Sequence, residues 1–372
     1  MRAATRAGDN VATVRTTILR GARRWQDVET PWRALLVDRP PRSVFQTAEW
    51  AEAMAEESHD EHARWFVAED DDGPLAVLPF ELRDRRRGPL HLRVLGNERT
   101  SDGLIADRAR PAQVRSGLLA AMSAAGEPVD LLTLGGLRDG WAFSRLATAT
   151  SQGLTTEKRF GGHSVIPTLK PYDEWLGAAG RNLRNGLRKA RNRFERQGEM
   201  TITVASGPDE VAEAFEEYVA VEATGWKASR GALANKPVDR ARIRRFLLST
   251  ARSGRTTVRT LRLDGRPAAS QLMVTVGSAI VLLKVAYDEG LSDLSPSNIL
   301  MADLIRDCCE RPDISTLDLV TNQPWHARWH ADVHPTYYVR SPNLRRPGGI
   351  AARLALAAQS LRPGGEPEPG AP

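Results

Sequence analysis

The residues with the most chemical promise gather at one junction. An apolar run over 279–286 gives way to Tyr287-Asp288-Glu289, and Ser295-Pro296-Ser297-Asn298 then opens a helical stretch reaching Cys309. Serine is a preferred N-cap, and proline suits the first helical position, where its missing N–H costs nothing. A helix starting beside the end of a central strand turns unpaired N–H groups toward a cleft, where a pyrophosphate can bind. Many α/β proteins run strand, loop, helix without a ligand, so the junction marks a place before it marks a reaction.

Other residue types narrow the chemistry. Only six lysines stand among the 52 basic residues, at 158, 170, 189, 227, 236 and 284. Where arginine is so available, Lys227 and Lys284 suit sites that want a compact ammonium able to grip a phosphate or carboxylate. The competing reading is chance. Trp226, beside Lys227, can stack on a substrate or serve as a core aromatic. His326, His330 and His334 recur every four residues, a spacing that can bind zinc on one helix face. No carboxylate or cysteine completes a ligand pattern, however, and Pro335 limits the helix, so no metal is expected. Neither a Gly-x-Ser-x-Gly elbow nor a GxGxxG fingerprint is present.

The elements that must position these groups read as a meander. Residues 257–263 alternate as a half-buried strand, Asp264-Gly265 is a hairpin turn, and a second strand over 268–276 turns back at Gly277-Ser278. Earlier, 48–57 reads as a helix, 64–69, 75–82 and 90–95 as strands, 111–125 as a helix and 129–134 as a buried strand. The second half echoes the first. Asp72-Gly73 and Asp264-Gly265, Ser101-Asp102 and Ser292-Asp293, and Asp130 and Asp318 lie at offsets of 192, 191 and 188, in the same order. That pattern argues for two copies of one αβ fold.

The expected organisation is a loosely packed lead-in over 1–40 and a first domain over 41–170. A basic connecting helix over 171–198, a second domain over 199–345 and a small helix with a disordered tail over 346–372 follow. Leu183, Leu187, Ala190 and Phe194 form an apolar stripe in the connecting helix. Arg181, Arg184, Arg188 and Arg191 lie beside it, able to hold a phosphate or RNA backbone or simply to face solvent.

Composition bounds the rest. A chain of 372 residues accommodates two ordinary domains, and its formal charge of +6 is spread along the chain. Cys308 and Cys309, adjacent and without metal spacing, fit reduced thiols in a cytoplasm. No apolar stretch nears the ~20 residues of a membrane span, and the basic N-terminal segment lacks the apolar core of a secretion signal.

With these residues in view, the chain resembles the GNAT-type acyltransferase superfamily, in its FemAB-like branch that includes CelD-type proteins of cellulose biosynthesis. Four pieces carry the resemblance: Glu222-Ala223-Thr224-Gly225-Trp226-Lys227, Lys284-Val285-Ala286-Tyr287-Asp288-Glu289, Ser295-Pro296, and Leu317-Asp318-Leu319 before a Trp-rich segment. It implies an α/β fold of two tandem GNAT-like domains, each a mixed, mostly antiparallel sheet flanked by helices. It also implies an N- or O-acyltransferase whose site lies in the second half.

By that resemblance the thioester lies between splayed strands over 280–286 and 316–320. Groups at their ends become candidates: Asp288 as base, Tyr287 as acid, Asn322, and His326 as a second proton carrier. Trp226, Lys227 and Lys284 would bind substrate, and Ser295, Ser297 and Asn298 the donor. Tyr287 also reads as a packed aromatic, and Asp288 as a turn residue. The donor is acyl-CoA, with aminoacyl-tRNA as the alternative, since Ser297 stands where the branch usually has glycine and the Gln/Arg-x-x-Gly-x-Gly loop is absent. The acceptor is a small molecule or polysaccharide precursor. A non-catalytic binding protein on the same fold is the rival from another class.

Overall fold

A computed structural model describes residues 14–37, 41–56, 62–83, 91–94, 105–106, 129–138, 156–225 and 232–360. Trp226, Lys227 and the helix expected over 111–125 lie outside them.

The strands are β1 (Arg15–Arg20), β2 (Ala63–Asp70), β3 (Gly73–Arg83), β4 (His91–Val94), β5 (Ile105–Ala106), β6 (Leu131–Arg138) and β7 (Thr156–Pro167). The second half adds β8 (Met200–Ala205), β9 (Thr256–Leu263), β10 (Arg266–Val276), β11 (Ala279–Tyr287), β12 (Thr316–Asp318) and β13 (Asp332–Pro342). All join one sheet, ordered β1-β2-β3-β4-β6-β13-β7-β12-β11-β10-β9-β8, with β5 pairing β3. Among the described residues only β4–β6 and β11–β12 are parallel.

That order is a palindrome. Reading inward from either edge gives three antiparallel pairings and then one parallel pairing. At the centre β13, which follows β12 in sequence, pairs with β6, while β7, which follows β6, pairs with β12. Each half thus lends its last strand to the other, and β7 and β13 pair along the seam.

The N-terminal residues correct one expectation. Far from a loosely packed lead-in, β1 pairs along its own whole length with Arg64–Glu69 of β2, and helix α1 (Trp25–Ala34) buries Trp25, Val28 and Trp32. Trp25 packs edge-on against Trp32 with ring centroids 5.6 Å apart, and the Trp32 indole N–H donates to the Gln46 carbonyl at 3.2 Å. Large apolar rings with their polar tips satisfied make a core element of this segment.

Helices α2 (Ala48–Glu56), α5 (Pro208–Ala223) and α6 (Pro237–Ala251) share one core with Leu272, Val274, Val281 and Ala286. The opposite face of the second half is covered by α3 (Tyr172–Ala178), α4 (Arg181–Glu195) and α7 (Pro296–Glu310). Met273, Ile280 and Leu282 point to that side. Arg259 of β9 ties α7 down through Asp303 and through Asp307 at 3.3 Å. Helix α8 (Pro347–Ser360) begins where the Arg346 guanidinium pairs with Asp130 at 2.8 Å.

The connecting helix is two helices, not one. Gly180 at φ +87 breaks α3 from α4, a left-handed conformation that favours glycine. Ala190 and Phe194 of α4 bury against Leu261, Ala269, Ile299 and Leu300, as the apolar stripe anticipated. Arg181, Arg184, Arg188 and Arg191 remain exposed.

Candidate functional site

The site begins where two parallel strands part. β11 and β12 pair over three positions, Ala279 with Thr316, Ile280 with Leu317 and Val281 with Asp318. Beyond Asp318 the chain stays with β7 instead, since Leu319 N–H donates to Ser164 O and Ser164 N–H to Thr321 O. Val320 takes φ +63, a conformation costly for a β-branched residue, and its N–H donates to Asp318 Oδ1 at 2.7 Å. The kink carries the chain away from β11, and the pairing of β12 with that strand ends at Val281.

A cleft of about 370 Å³ fills the opening. Leu282, Val285, Ala286 and Tyr287 line it from β11, Ser295 to Asn298 from the start of α7, and Trp325, Arg328 and Trp329 from the 3-10 turn Pro324–Trp329. Glu222 and Gly225 close the far end. The strand register places Val285 and Tyr287 opposite Gln271 and Ala269, on the α7 side, while Lys284 and Ala286 pair with Leu272 and Ser270, on the α5 side. The lining therefore comes from both faces of the sheet. One ligand can approach from each side and the two can meet at the strand edge.

The helix start falls where the sequence puts it, with Ser295 as N-cap and Pro296 as first residue. Its geometry differs from an open anion cradle. Ser295 is left-handed at φ +56, its side chain makes no cap bond, and Asn298 and Ile299 N–H both turn back to Ser295 O. Proline has no N–H, which leaves the Ser297 N–H to face a ligand. Arg328 supplies positive charge there, its guanidinium donating to Asn298 Oδ1 at 3.2 Å. The α7 end is cationic and the α5 end, with Glu222 and Glu289, anionic.

Of the expected proton carriers, Tyr287 lines the cleft and Asp288 does not. Asp288 Oδ1 accepts the Gly290 N–H at 2.9 Å and caps the turn Glu289–Leu294, so its carboxylate has the turn role. His326 is buried at 2% exposure under Trp325, whose ring meets it edge-on at 4.1 Å. Its Nδ1 accepts the Gln323 N–H at 3.2 Å, and the other side of the ring bonds the Thr321 backbone. Burial pushes its pKa down to about 4, only partly opposed by the Thr321 bond. A neutral imidazole with both nitrogens engaged holds the turn in place. Asn322 is held by the Ser164 hydroxyl at 3.0 Å.

The histidine series does not converge. His326 sits in the 3-10 turn, His330 is left-handed at φ +53 with its Nε2 near Ala179 O, and His334 lies on β13. Among the described residues no group of three or more potential ligands is placed to hold a metal.

Lys284 meets Glu222, with Nζ 3.9 Å from Oε1. Glu222 is also held by the Tyr218 hydroxyl at 3.1 Å and the Leu233 N–H at 2.7 Å. Burial, and then the Glu222 charge and hydrogen bond, push the Tyr218 pKa well up, so that phenol keeps its proton. Glu222, Glu289, Gln271, Arg328 and Trp329 are cleft residues to which the sequence assigned no role. Glu222 and Glu289 stood inside the quoted motifs, and Gln271 left a signal as an amide inside the apolar run of β10.

Residues 181–329 match the model of the acetyltransferase (GNAT) domain. No curated protein matches the chain in sequence. Among solved structures, FemX aligns with TM-score 0.58 and 12% identity over 87% of this chain and 96% of its own. The C-terminal domain of a putative lysylphosphatidylglycerol synthetase from Agrobacterium fabrum aligns with TM-score 0.55 and 13% identity, over 90% and 96%. A tandem GNAT protein from the clavulanic acid biosynthesis pathway gives 0.51 and 14%, over 89% and 98%. At such identities the likeness is one of fold. The chain is thus a mixed α/β protein with the tandem GNAT-like architecture, similar over its second half to acetyltransferase (GNAT) domains.

Proposed function

We propose that the protein is a cytoplasmic N- or O-acyltransferase with one working site, in the second of two related domains over 41–170 and 199–345. Acyl-CoA is the donor and a small molecule or polysaccharide precursor the acceptor. The supporting observation is the cleft at the parting of β11 and β12, built from both faces of the sheet and ending at a helix N-terminus. Among the described residues no helix is long and apolar enough to cross a membrane, which suits a donor and acceptor dissolved in the same compartment.

The residues fit the thioester end of such a donor. Ser297 N–H and Arg328 face the anionic part, and Leu282, Val285 and Met301 accept an apolar arm. The acceptor enters from the Glu222 side, where carboxylates favour an approaching amine. Its nitrogen or oxygen attacks the thioester carbonyl carbon, a backbone N–H where β11 and β12 part supports the oxyanion, and the C–S bond breaks. A carboxylate at the Glu222 and Glu289 end of the cleft takes the acceptor's proton, and the Tyr287 phenol protonates the departing thiolate. Lys284 holds Glu222. Trp226 and Lys227 extend the acceptor side.

The exposed arginines of α4 favour a second reading, aminoacyl-tRNA as donor, because α4 packs beside α7 and the turn at 289–294. Thermal unfolding with acetyl-CoA, longer acyl-CoAs and charged tRNA separates the readings. At a hundredfold excess over Kd a true donor stabilises the folded state by about 2.7 kcal/mol. Protection by tRNA alone would move the donor assignment, and protection by neither would favour a non-catalytic binding protein.

A further inference from the structure

Two buried polar atoms in the cleft have no hydrogen-bond partner, and they are complementary. Gln271 is fully buried in the middle of β10. Its Nε2–H reaches only Met301 Sδ at 3.8 Å, a weak acceptor, and its Oε1 is unpartnered. Trp329, fully buried at the end of the 3-10 turn, has an unpartnered Nε1–H. Both residues line the cleft together with Leu282 and Met301. Buried donors and acceptors are nearly always satisfied, and apolar groups of the same shape would avoid the cost of leaving them unmade. Met301, which shares an apolar cluster with Trp329, is unbranched and repacks readily, so an incoming group can take its place beside Gln271.

Resting on the acyltransferase reading above, we propose that Gln271 and Trp329 form a specificity subsite for an acyl group bearing a neutral hydroxyl or amide. A hydroxyl donates to Gln271 Oε1 and accepts from Trp329 Nε1–H, and an amide does the same with its two ends. A ketone only accepts and an ammonium only donates. A carboxylate sets negative charge against the amide oxygen, and a plain alkanoyl chain leaves both atoms unmade. The subsite lies on the α7 side of the sheet, away from Glu222 and Lys284, and so belongs to the donor.

The amides of the coenzyme arm offer the same chemistry but are common to every acyl-CoA, which separates the two sources. The experiment measures Kd by calorimetry for CoA, butyryl-CoA and 3-hydroxybutyryl-CoA, with the full chain, Gln271→Leu and Trp329→Phe. We expect 3-hydroxybutyryl-CoA to bind the unaltered protein ~10-fold tighter than butyryl-CoA. In either variant that ratio should fall to about 1. Equal affinities in the unaltered protein would overturn the subsite while leaving the donor reading intact. A uniform loss across all three ligands in the variants would do so too, by assigning the pair to the coenzyme arm. Absence of binding by any of the three would overturn the donor reading with it. Melting temperatures of both variants report folding, and Gln271→Leu, close in shape, carries the test if Trp329→Phe does not fold.

Discussion

Replacing His326 by asparagine separates a loop-holding imidazole from a proton carrier. Asparagine keeps an acceptor near the Gln323 N–H and cannot titrate. In the unfolded chain the imidazole has a pKa of 6.5, and in the folded protein it is pushed down to about 4. The folded state therefore binds fewer protons than the unfolded state between those values, and stability rises with pH across that window. The contribution is complete above pH ~6.5 and is lost as pH falls toward ~4. At 1.36 kcal/mol per pH unit, a shift of this size is worth up to ~3 kcal/mol. Urea unfolding at fixed ionic strength, at pH 7.5 and 4.5, gives the assay. Carboxylates also titrate at the acid end, so the informative quantity is the difference between the two proteins. The unaltered protein should lose ~2–3 kcal/mol more than His326→Asn over this interval. Equal losses would refute the buried neutral imidazole, and a fall in turnover without a change in stability would restore His326 as a proton carrier.

Three other outcomes follow from the same geometry. Glu222→Gln should lower kcat by ~10²–10⁴ with little change in donor affinity, read from steady-state kinetics beside calorimetry. Tyr287→Phe should lower kcat less for donors with a better leaving group, because the phenol is needed only to protonate the thiolate; equal losses across donors would remove that role. Asp288→Ala should cost about 1 kcal/mol in a chemical melt through loss of the cap, with turnover unaffected, and Asp288→Asn should cost almost nothing. A loss of turnover in Asp288→Asn at unchanged stability would return the base to Asp288.

What the sequence made readable was local or repeated. The Asp-Gly hairpin, the Ser-Pro helix start and the strands on either side depend on turn and cap chemistry within a few residues, and each falls where expected. The spaced echoes between the halves anticipated a symmetric sheet, because equal strand orders leave equal turn spacings. The exchange of β7 and β13 across the centre has no local signature, since strand partners are chosen by tertiary packing. Val320 shows the same limit, because nothing in Leu-Val-Thr announces a left-handed β-branched residue. The settings of Asp288 and His326 include hydrogen bonds to Gly290 and Gln323. Those partners are two and three residues away, but their effect depends on burial and on which way the side chain points. Glu222 was in view as part of a motif, and only the packing of α5 against β11 brought it to Lys284. The N-terminal segment misled because its tryptophans, read as sequence, carried no partner; Gln46 and β2 supply them.

The proposed donor pose is an acyl-CoA in the cleft with its anionic part at the start of α7. Its most direct test is calorimetric titration of acetyl-CoA into the unaltered protein and into Ser297→Asp, which sets a negative charge at that helix end. Saturable binding is expected to the first, with a loss of at least ~10-fold in affinity in the second at equal melting temperature. Equal affinities for the two proteins would place the donor elsewhere.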